Sequence, residues 1–441
     1  SIIDAVSDTL IKTLNTARQP SAIESSPDGK KMYVLNALGC DISVVDTTTD
    51  TITATIGVGS VPRAMDITPD GNKLFVGNGN SSTVSVIDTT SSVSLPESVT
   101  SILTLSNMPG KTVFSADSTK AYAAAPYGGT NVFVMNAATD TLSTNITVGT
   151  TPTGIAITPD STKVYVSNAG SRTVSVINTS TDTVVATIAV GSTPRGMIMS
   201  SDGSKLYVIN YGANTVSVIN TSTNTVVATI AVGTYPSAIT INPSGSRVYV
   251  MNNGSNNVSV INTSTNTVAA TIAVGSSPND VKVSPDGSKL FVANGAGASV
   301  SVINTVTNTI TATITVAASP LSILFSLDGS KAYIGSSTTL SVINTTTNAV
   351  TTTIPVGNGP IGMVLAPTGS RLYALNSASC SISIINTSTD TLVGTLGVGL
   401  VPGSLTISPD GKKIYVSNTW TLYQLSVIST ASATQSKLYR W

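Results

Sequence analysis

One spacing governs this chain. Tyr33 to Asn36 (YVLN), Phe75 to Asn78 (FVGN), Tyr165 to Asn168 (YVSN), Tyr207 to Asn210 (YVIN), Tyr249 to Asn252 (YVMN), Phe291 to Asn294 (FVAN), Tyr373 to Asn376 (YALN) and Tyr415 to Asn418 (YVSN) are copies of one segment. Two degenerate copies, ending at Ala125 and Ser336, bring the number to ten, at successive spacings of 42, 47, 43, 42, 42, 42, 42, 40 and 42. A period of 40 to 45 residues with no linker between copies points to a radial or solenoidal array, so the 441 residues are read as one repeated structure.

Each copy holds four short β patterns. In the copy after Pro194, Met197 to Ser200 is a brief apolar strand and Ser201-Asp202-Gly203-Ser204 is a turn, since glycine accepts positive φ and aspartate bonds its own backbone. Lys205 to Asn210 and Thr215 to Asn220 alternate apolar and polar residues on either side of the turn Tyr211 to Asn214. Thr225 to Val232, rich in β-branched residues, is the fourth strand. Helical periodicity is nowhere sustained. Four-stranded sheets that are apolar on both faces must be buried between neighbours, which radial packing achieves, so the fold expected is an all-β propeller. A parallel β-helix fits less well, because its strands are not joined as hairpins.

Ring closure follows from an offset. Ser1 to Leu14 aligns with Ser43 to Ile56, so the chain begins with the end of a repeat and finishes three strands into the tenth copy. The expectation is a single ring of ten four-stranded antiparallel blades over residues 1–430, with 8–14 supplying the last blade's fourth strand and 431–441 left as a tail. Two five-bladed rings are the alternative. Residues 89–110 are read as an irregular insertion.

The repeated proline, Pro-Asp-Gly, Tyr-Val-x-Asn and Val-Ser-Val-Ile-(Asn/Asp)-Thr segments resemble the YVTN family of β-propeller repeats and are similar to modules of archaeal surface-layer proteins, over roughly residues 8 to 430. The resemblance implies a structural or interaction module without a shared catalytic motif. Ala123 to Ala125 and the shortened loop of the eighth copy depart from the pattern.

Composition excludes several activities. There is no histidine, which removes histidine-based triads, general bases and metal ligands. Twenty-one basic residues balance 21 acidic ones without a basic run, so neither nucleic acid nor an anionic membrane surface is an expected partner. No apolar run is long enough to span a bilayer. No cofactor is expected. Seven turn aspartates, Asp28, Asp70, Asp160, Asp202, Asp286, Asp328 and Asp410, sit one per copy and are read as turn residues, since a calcium site needs six to eight oxygens at one point.

Sequons at Asn80, Asn145, Asn178, Asn220, Asn253, Asn257, Asn262, Asn344 and Asn386 would permit N-glycosylation of a secreted chain. Five of them, Asn178, Asn220, Asn262, Asn344 and Asn386, share one repeat position and are also suited to Asx turns. Cys40 and Cys380 occupy equivalent places in copies one and nine; in a ten-blade ring copy ten separates them, beyond the reach of a disulfide. Arg63, Asp66, Arg195, Asp280 and Lys282 replace small or apolar residues in first strands and are candidate contacts for a ligand at a channel mouth.

These readings lead to a non-catalytic extracellular or cell-surface protein that assembles with itself into a layer, sheath or filament, with Leu438, Tyr439 and Trp441 of the tail as assembly contacts. The alternatives are a receptor or adhesin that binds a cell-surface protein or glycan through loops at one face, and a hydrolase or lyase that uses channel carboxylates.

Overall fold

The structure is a computed structural model that describes residues 2–3, 10–14, 16, 19–58, 62–68, 72–78, 83–89, 98–126, 128–399, 401–418 and 424–430. It is all-β and built of repeated antiparallel sheets, as the periodicity implies. No helix occurs among the described residues, and so none is long and apolar enough to cross a membrane.

The copy after Pro194 shows how the repeat becomes a blade. Its strands are Pro194–Met199, Lys205–Asn210, Thr215–Asn220 and Thr225–Ala231, hydrogen-bonded in that order. The two middle strands are buried almost throughout, whereas the fourth alternates between exposed and half-buried positions. Asn210, which ends the Tyr-Val-x-Asn segment, is fully buried and donates to Thr215 Oγ1 at 3.0 Å and Ser217 Oγ at 2.9 Å. A Cβ on Gly191 would lie 2.7 Å from Asn210 Cγ, so this glycine and the buried asparagine require one another, a pairing repeated at Gly149, Gly233, Gly275, Gly357 and Gly399.

Among the described residues eight such blades form a closed ring, seven of them at 112–147, 152–189, 194–231, 236–273, 278–315, 320–355 and 360–397, here blades one to seven. Blade eight combines Pro402–Ile407, Lys413–Asn418 and Gln424–Ser429 with Ser98–Thr104 as its outer strand. Ser98 pairs with Ser429 and Thr104 with Gln424, so the ring is closed by a strand from the segment read as an insertion. The N-terminal strand expected in that role is elsewhere: among the described residues Leu10–Lys12 pairs with Ile2–Ile3. The physical reason lies in the order ILTL of residues 102–105, which repeats the apolar-polar order of a fourth strand and ends four residues before Pro109. Among the described residues copy two thereby keeps three strands, Pro62–Ile67, Lys73–Asn78 and Thr83–Asp88, and its fourth strand goes to blade eight. Copies one (20–57) and two (62–88) pack on each other outside the ring.

Polar links repeat between ring blades. Lys163 donates to Thr221 O at 2.7 Å and Lys205 to Thr263 O at 2.7 Å, each in the following blade. Lys120 and Lys331 add ion pairs to Asp182 and Asp390 at 2.8 and 2.7 Å. Lys413 of blade eight reaches Asp140 of blade one, so the series runs through the closure. There Phe114 and Tyr415 meet edge to face, centroids 4.8 Å apart.

Closure by Ser98–Thr104 predicts a contrast between two perturbations. One of the consecutive substitutions Ile102→Pro and Leu103→Pro must remove an N–H that faces Gln424–Ser429, at about 1 kcal/mol for the bond alone. That variant will unfold at lower temperature than the intact chain by calorimetry, while deletion of residues 1–14 will leave the main transition in place.

Candidate functional site

In a repeat protein the side chains that break the repeat mark the places not needed for the repeat itself. Two residues after the first-strand proline, the ring blades carry Gly154, Gly196, Ala238, Asp280, Ser322, Gly362 and Ser404. Blade one has the same frame, Pro109-Gly110-Lys111, which puts Lys111 at the position of Asp280. Charge thus occurs at this position in blades one and five alone, opposite each other in a ring of eight. Lys282, two residues beyond Asp280, points to the same side of its strand.

These three residues line a cavity of about 380 Å³ walled by first strands of blades five to eight and one. Its other polar groups include Thr112, Ser322, Ser404 and Thr406, and Ile323, Ile361, Met363 and Leu405 are apolar walls. Lys282 Nζ lies 3.9 Å from Asp280 Oδ1. Asp280 is held firmly: Oδ1 accepts the N–H of Val281 at 2.8 Å and Oδ2 that of Ile323, in the next blade, at 2.9 Å. Ser322 and Ser404 are committed to the neighbouring backbone, donating to Pro360 O at 2.8 Å and Gly110 O at 3.0 Å.

Enclosure perturbs the charges. Burial pushes the Asp280 carboxyl above its ordinary range, opposed by Lys282, the two backbone N–H groups and Lys111. Burial also pushes the Lys111 ammonium down, helped by repulsion from Lys282 and opposed by Asp280. A carboxylate biased toward taking a proton therefore faces an ammonium biased toward losing one, in a polar cavity whose two lysines remain in contact with solvent. Such a site can hold an anionic group between the lysines and can accept a proton from water.

Of the five residues expected at a channel mouth, only Asp280 and Lys282 line this cavity. Arg63 and Asp66 are exposed on the three-stranded blade outside the ring and cannot join them. Arg195 is exposed in blade three with its guanidinium 4.0 Å above the Tyr211 ring, which itself stacks on Tyr235. Lys111 was hidden in the sequence because the repeat was not extended through residues 89–110; the frame Pro109-Gly110-Lys111 is the signal.

Two other clefts, of about 340 and 380 Å³, lie at the turns between blades two and three and between blades six and seven. They repeat the same turn residues and are products of the architecture. The turn aspartates other than Asp70, which lies outside the described residues, are used locally: Asp202 accepts Ser200 Oγ at 2.6 Å and the Ser204 N–H at 3.0 Å, which draw its carboxyl down to about 2. No group of three or more potential ligands for a metal occurs among the described residues.

The remaining expected sites are dispersed. Asn178, Asn220, Asn262, Asn344 and Asn386 each accept backbone N–H groups two and three residues on, as Asx turns do. Asn253 donates to Pro278 O at 2.7 Å, Asn257 accepts from Asn252 at 2.8 Å, and Asn145 is exposed. Asn80, Leu438, Tyr439 and Trp441 lie outside the described residues. The separation expected of Cys40 and Cys380 does not hold, because copy one is not a neighbour of copy ten in a ring; the two buried thiols lie within hydrogen-bond reach of each other.

Residues 4–104 and 122–227 match the family model of the lactonases, described as a seven-bladed β-propeller, and residues 240–349 match a YNCE-like β-propeller model. The lactonase model covers just under half of the chain. No curated protein sequence matches. A solved chain of Kuenenia stuttgartiensis hydrazine synthase is similar in fold, with a TM-score of 0.55 and 24% identity, over 75% of this chain and 98% of that one. These matches support a propeller repeat protein and lend nothing to the likeness with surface-layer modules. The lactonase match also overturns the reading as a non-catalytic structural protein, since that family model is named for an enzyme, while the solved structure bears on the fold alone. Absence of histidine excludes histidine chemistry only; a carboxylate between lysines needs none.

The lowered Lys111 ammonium makes a prediction about reactivity. At pH 8 to 9, about two units below an ordinary lysine, Lys111 will be acylated by a small amine-reactive anhydride, which releases a carboxylate, ahead of Lys30 and Lys412 in peptide mapping. Asp280→Asn removes a charge that raises Lys111, so labelling there will become faster.

Proposed function

We propose that this chain is a hydrolase of cyclic esters that carry a negative charge, acting in the ring cavity at Lys111, Asp280 and Lys282. The observation that supports the reading is the convergence of these three repeat-breaking side chains on one cavity of about 380 Å³, in a chain whose N-terminal part matches a lactonase family model. In this reading the substrate's anionic group pairs with one lysine, and the ester carbonyl oxygen points to the other. Asp280, fixed by the N–H groups of Val281 and Ile323, takes a proton as water attacks the carbonyl carbon. The ammonium stabilises the charge that develops on the carbonyl oxygen. Collapse of the tetrahedral species breaks the bond to the ring oxygen, which leaves with the proton from Asp280, and the product is an open hydroxy acid. Its new carboxylate also faces the lysines, so product inhibition is part of the reading.

The test is hydrolysis of a panel of five- and six-membered lactones with and without a carboxylate or phosphate substituent. The charged members will be turned over faster. Asp280→Asn, which keeps an oxygen for the Ile323 N–H, will lower kcat about 100-fold or more with the circular dichroism spectrum unchanged. The rate will rise with pH as Asp280 deprotonates and fall as Lys111 loses its proton, and Lys111→Arg will move the falling limb to higher pH. Hydrolysis of every lactone at the same rate in the Asp280→Asn chain would overturn the assignment.

A further inference from the structure

The N-terminal blades touch the ring where two copies of the repeat share two departures from its pattern. Four residues after the repeat asparagine, copies one and nine carry Cys40 and Cys380, where intact copies have Arg172, Asn214, Asn256 or Ala298. Their fourth strands, Thr51–Gly57 and Thr391–Gly397, end in glycine, whereas the other ring blades end in threonine, alanine or proline. No other copy has either feature, and these two have both.

The structure brings the paired departures together. The outer strand of copy one lies against the outer strand of blade seven, and no backbone ladder joins them. A Cβ on Gly57 would overlap Gly397 N, and one on Gly397 would sit tightly, 3.1 Å from both Cys40 O and Asp41 Cβ, so Gly57 above all permits the approach. The two cysteines sit in matching frames: Cys40 O accepts the Val58 N–H and Cys380 O the Val398 N–H, both at 2.9 Å, and both residues have left-handed φ, 54° and 52°. Cys40 is 0% and Cys380 4% exposed, and their thiols are within hydrogen-bond reach. The contact also buries Asp41, whose carboxyl is pushed up to about 6 by burial against the hydrogen bond from Asn36, so a charged carboxylate weakens this contact at neutral pH.

We propose that Cys40 and Cys380 form a disulfide that fastens the N-terminal pair of blades to blade seven. The oxidant is a low-molecular-weight disulfide of the glutathione class. The Cys380 thiolate, favoured by the hydrogen bond from Cys40 and held at about 7, attacks one sulfur of that disulfide and releases one thiolate. The Cys40 thiolate then attacks Cys380 in the mixed disulfide and releases the second. Two protein thiols lose two electrons, the small disulfide gains them, and the two thiol protons end on the two released thiols. Exchange begins while the N-terminal blades are lifted from the ring, since both sulfurs are covered when they are seated.

The test uses the whole chain incubated with oxidised glutathione, alkylated and digested with trypsin without reduction. The expected product links peptide 32–63 to peptide 372–412 within a monomer, with no thiol left to alkylate. Cys40→Ser will stop at one glutathione on Cys380. Gly57→Val keeps both thiols but blocks the approach, and will leave the link at a small fraction of its level in the parent, with the ring's melting transition retained. Equal linkage in Gly57→Val would show that the bond forms without the docked contact and would overturn the proposal. Two alkylated thiols in the oxidised parent, or linkage between chains instead of within one, would overturn it too.

Discussion

Burial on both faces of the middle strands is the constraint from which the rest of this structure follows. Lys205–Asn210 and Thr215–Asn220, with their counterparts in every ring blade, hide nearly every side chain, so a blade is stable only between two others. An array of such sheets has two sticky ends unless it closes. Closure rests on hydrophobic contact through Phe114, Phe133, Met135, Tyr415, Leu425 and Val427, and the outer strand Ser98–Thr104 completes the last sheet. The lysine links add order rather than bulk stability, because these groups are partly solvent-exposed and ion pairs of that kind contribute little each.

Uniform packing also decides where chemistry can reside. Positions whose burial the neighbouring blade requires cannot vary, and the buried asparagine and its facing glycine are fixed by contact. First strands escape this limit on their channel side, where a side chain meets solvent instead of a blade. Lys111, Asp280 and Lys282 use that freedom. Asp280 shows its cost: its two oxygens are bound to backbone N–H groups of two adjacent blades, so the charge is stabilised by the scaffold that positions it.

Three of the four strands of a blade were legible in the sequence almost to the residue, since period-two alternation between glycine and asparagine turns leaves no other reading for segments such as Thr215–Asn220, whereas the first, read as Met197 to Ser200, runs from Pro194 to Met199. Which strand belongs to which sheet was not. Ser98–Thr104 has the pattern of a fourth strand, but its partner lies more than 300 residues away, and a local pattern carries no record of that. The same blind spot concealed Lys111 and misplaced Arg63 and Asp66, because being in a first strand implies facing the channel only for blades inside the ring. Cys40 and Cys380 were correctly seen as equivalent, while their separation was derived from a ring order that copy one does not obey.

Setting two copies outside the ring has a geometric consequence for the cavity. Inner strands stand farther from the axis as blades are added, and propellers commonly use four to eight. With ten blades, Lys111 and Asp280 would face a wider channel in which water screens one charge from the other. With eight, blade one lies opposite blade five, and both residues feel each other enough for Asp280 to hold up the Lys111 ammonium while burial lowers it. The strand that copy two gives to blade eight therefore does more than seal the ring. By fixing the number of blades in the ring, it sets the distance across which the carboxylate and the two lysines act together.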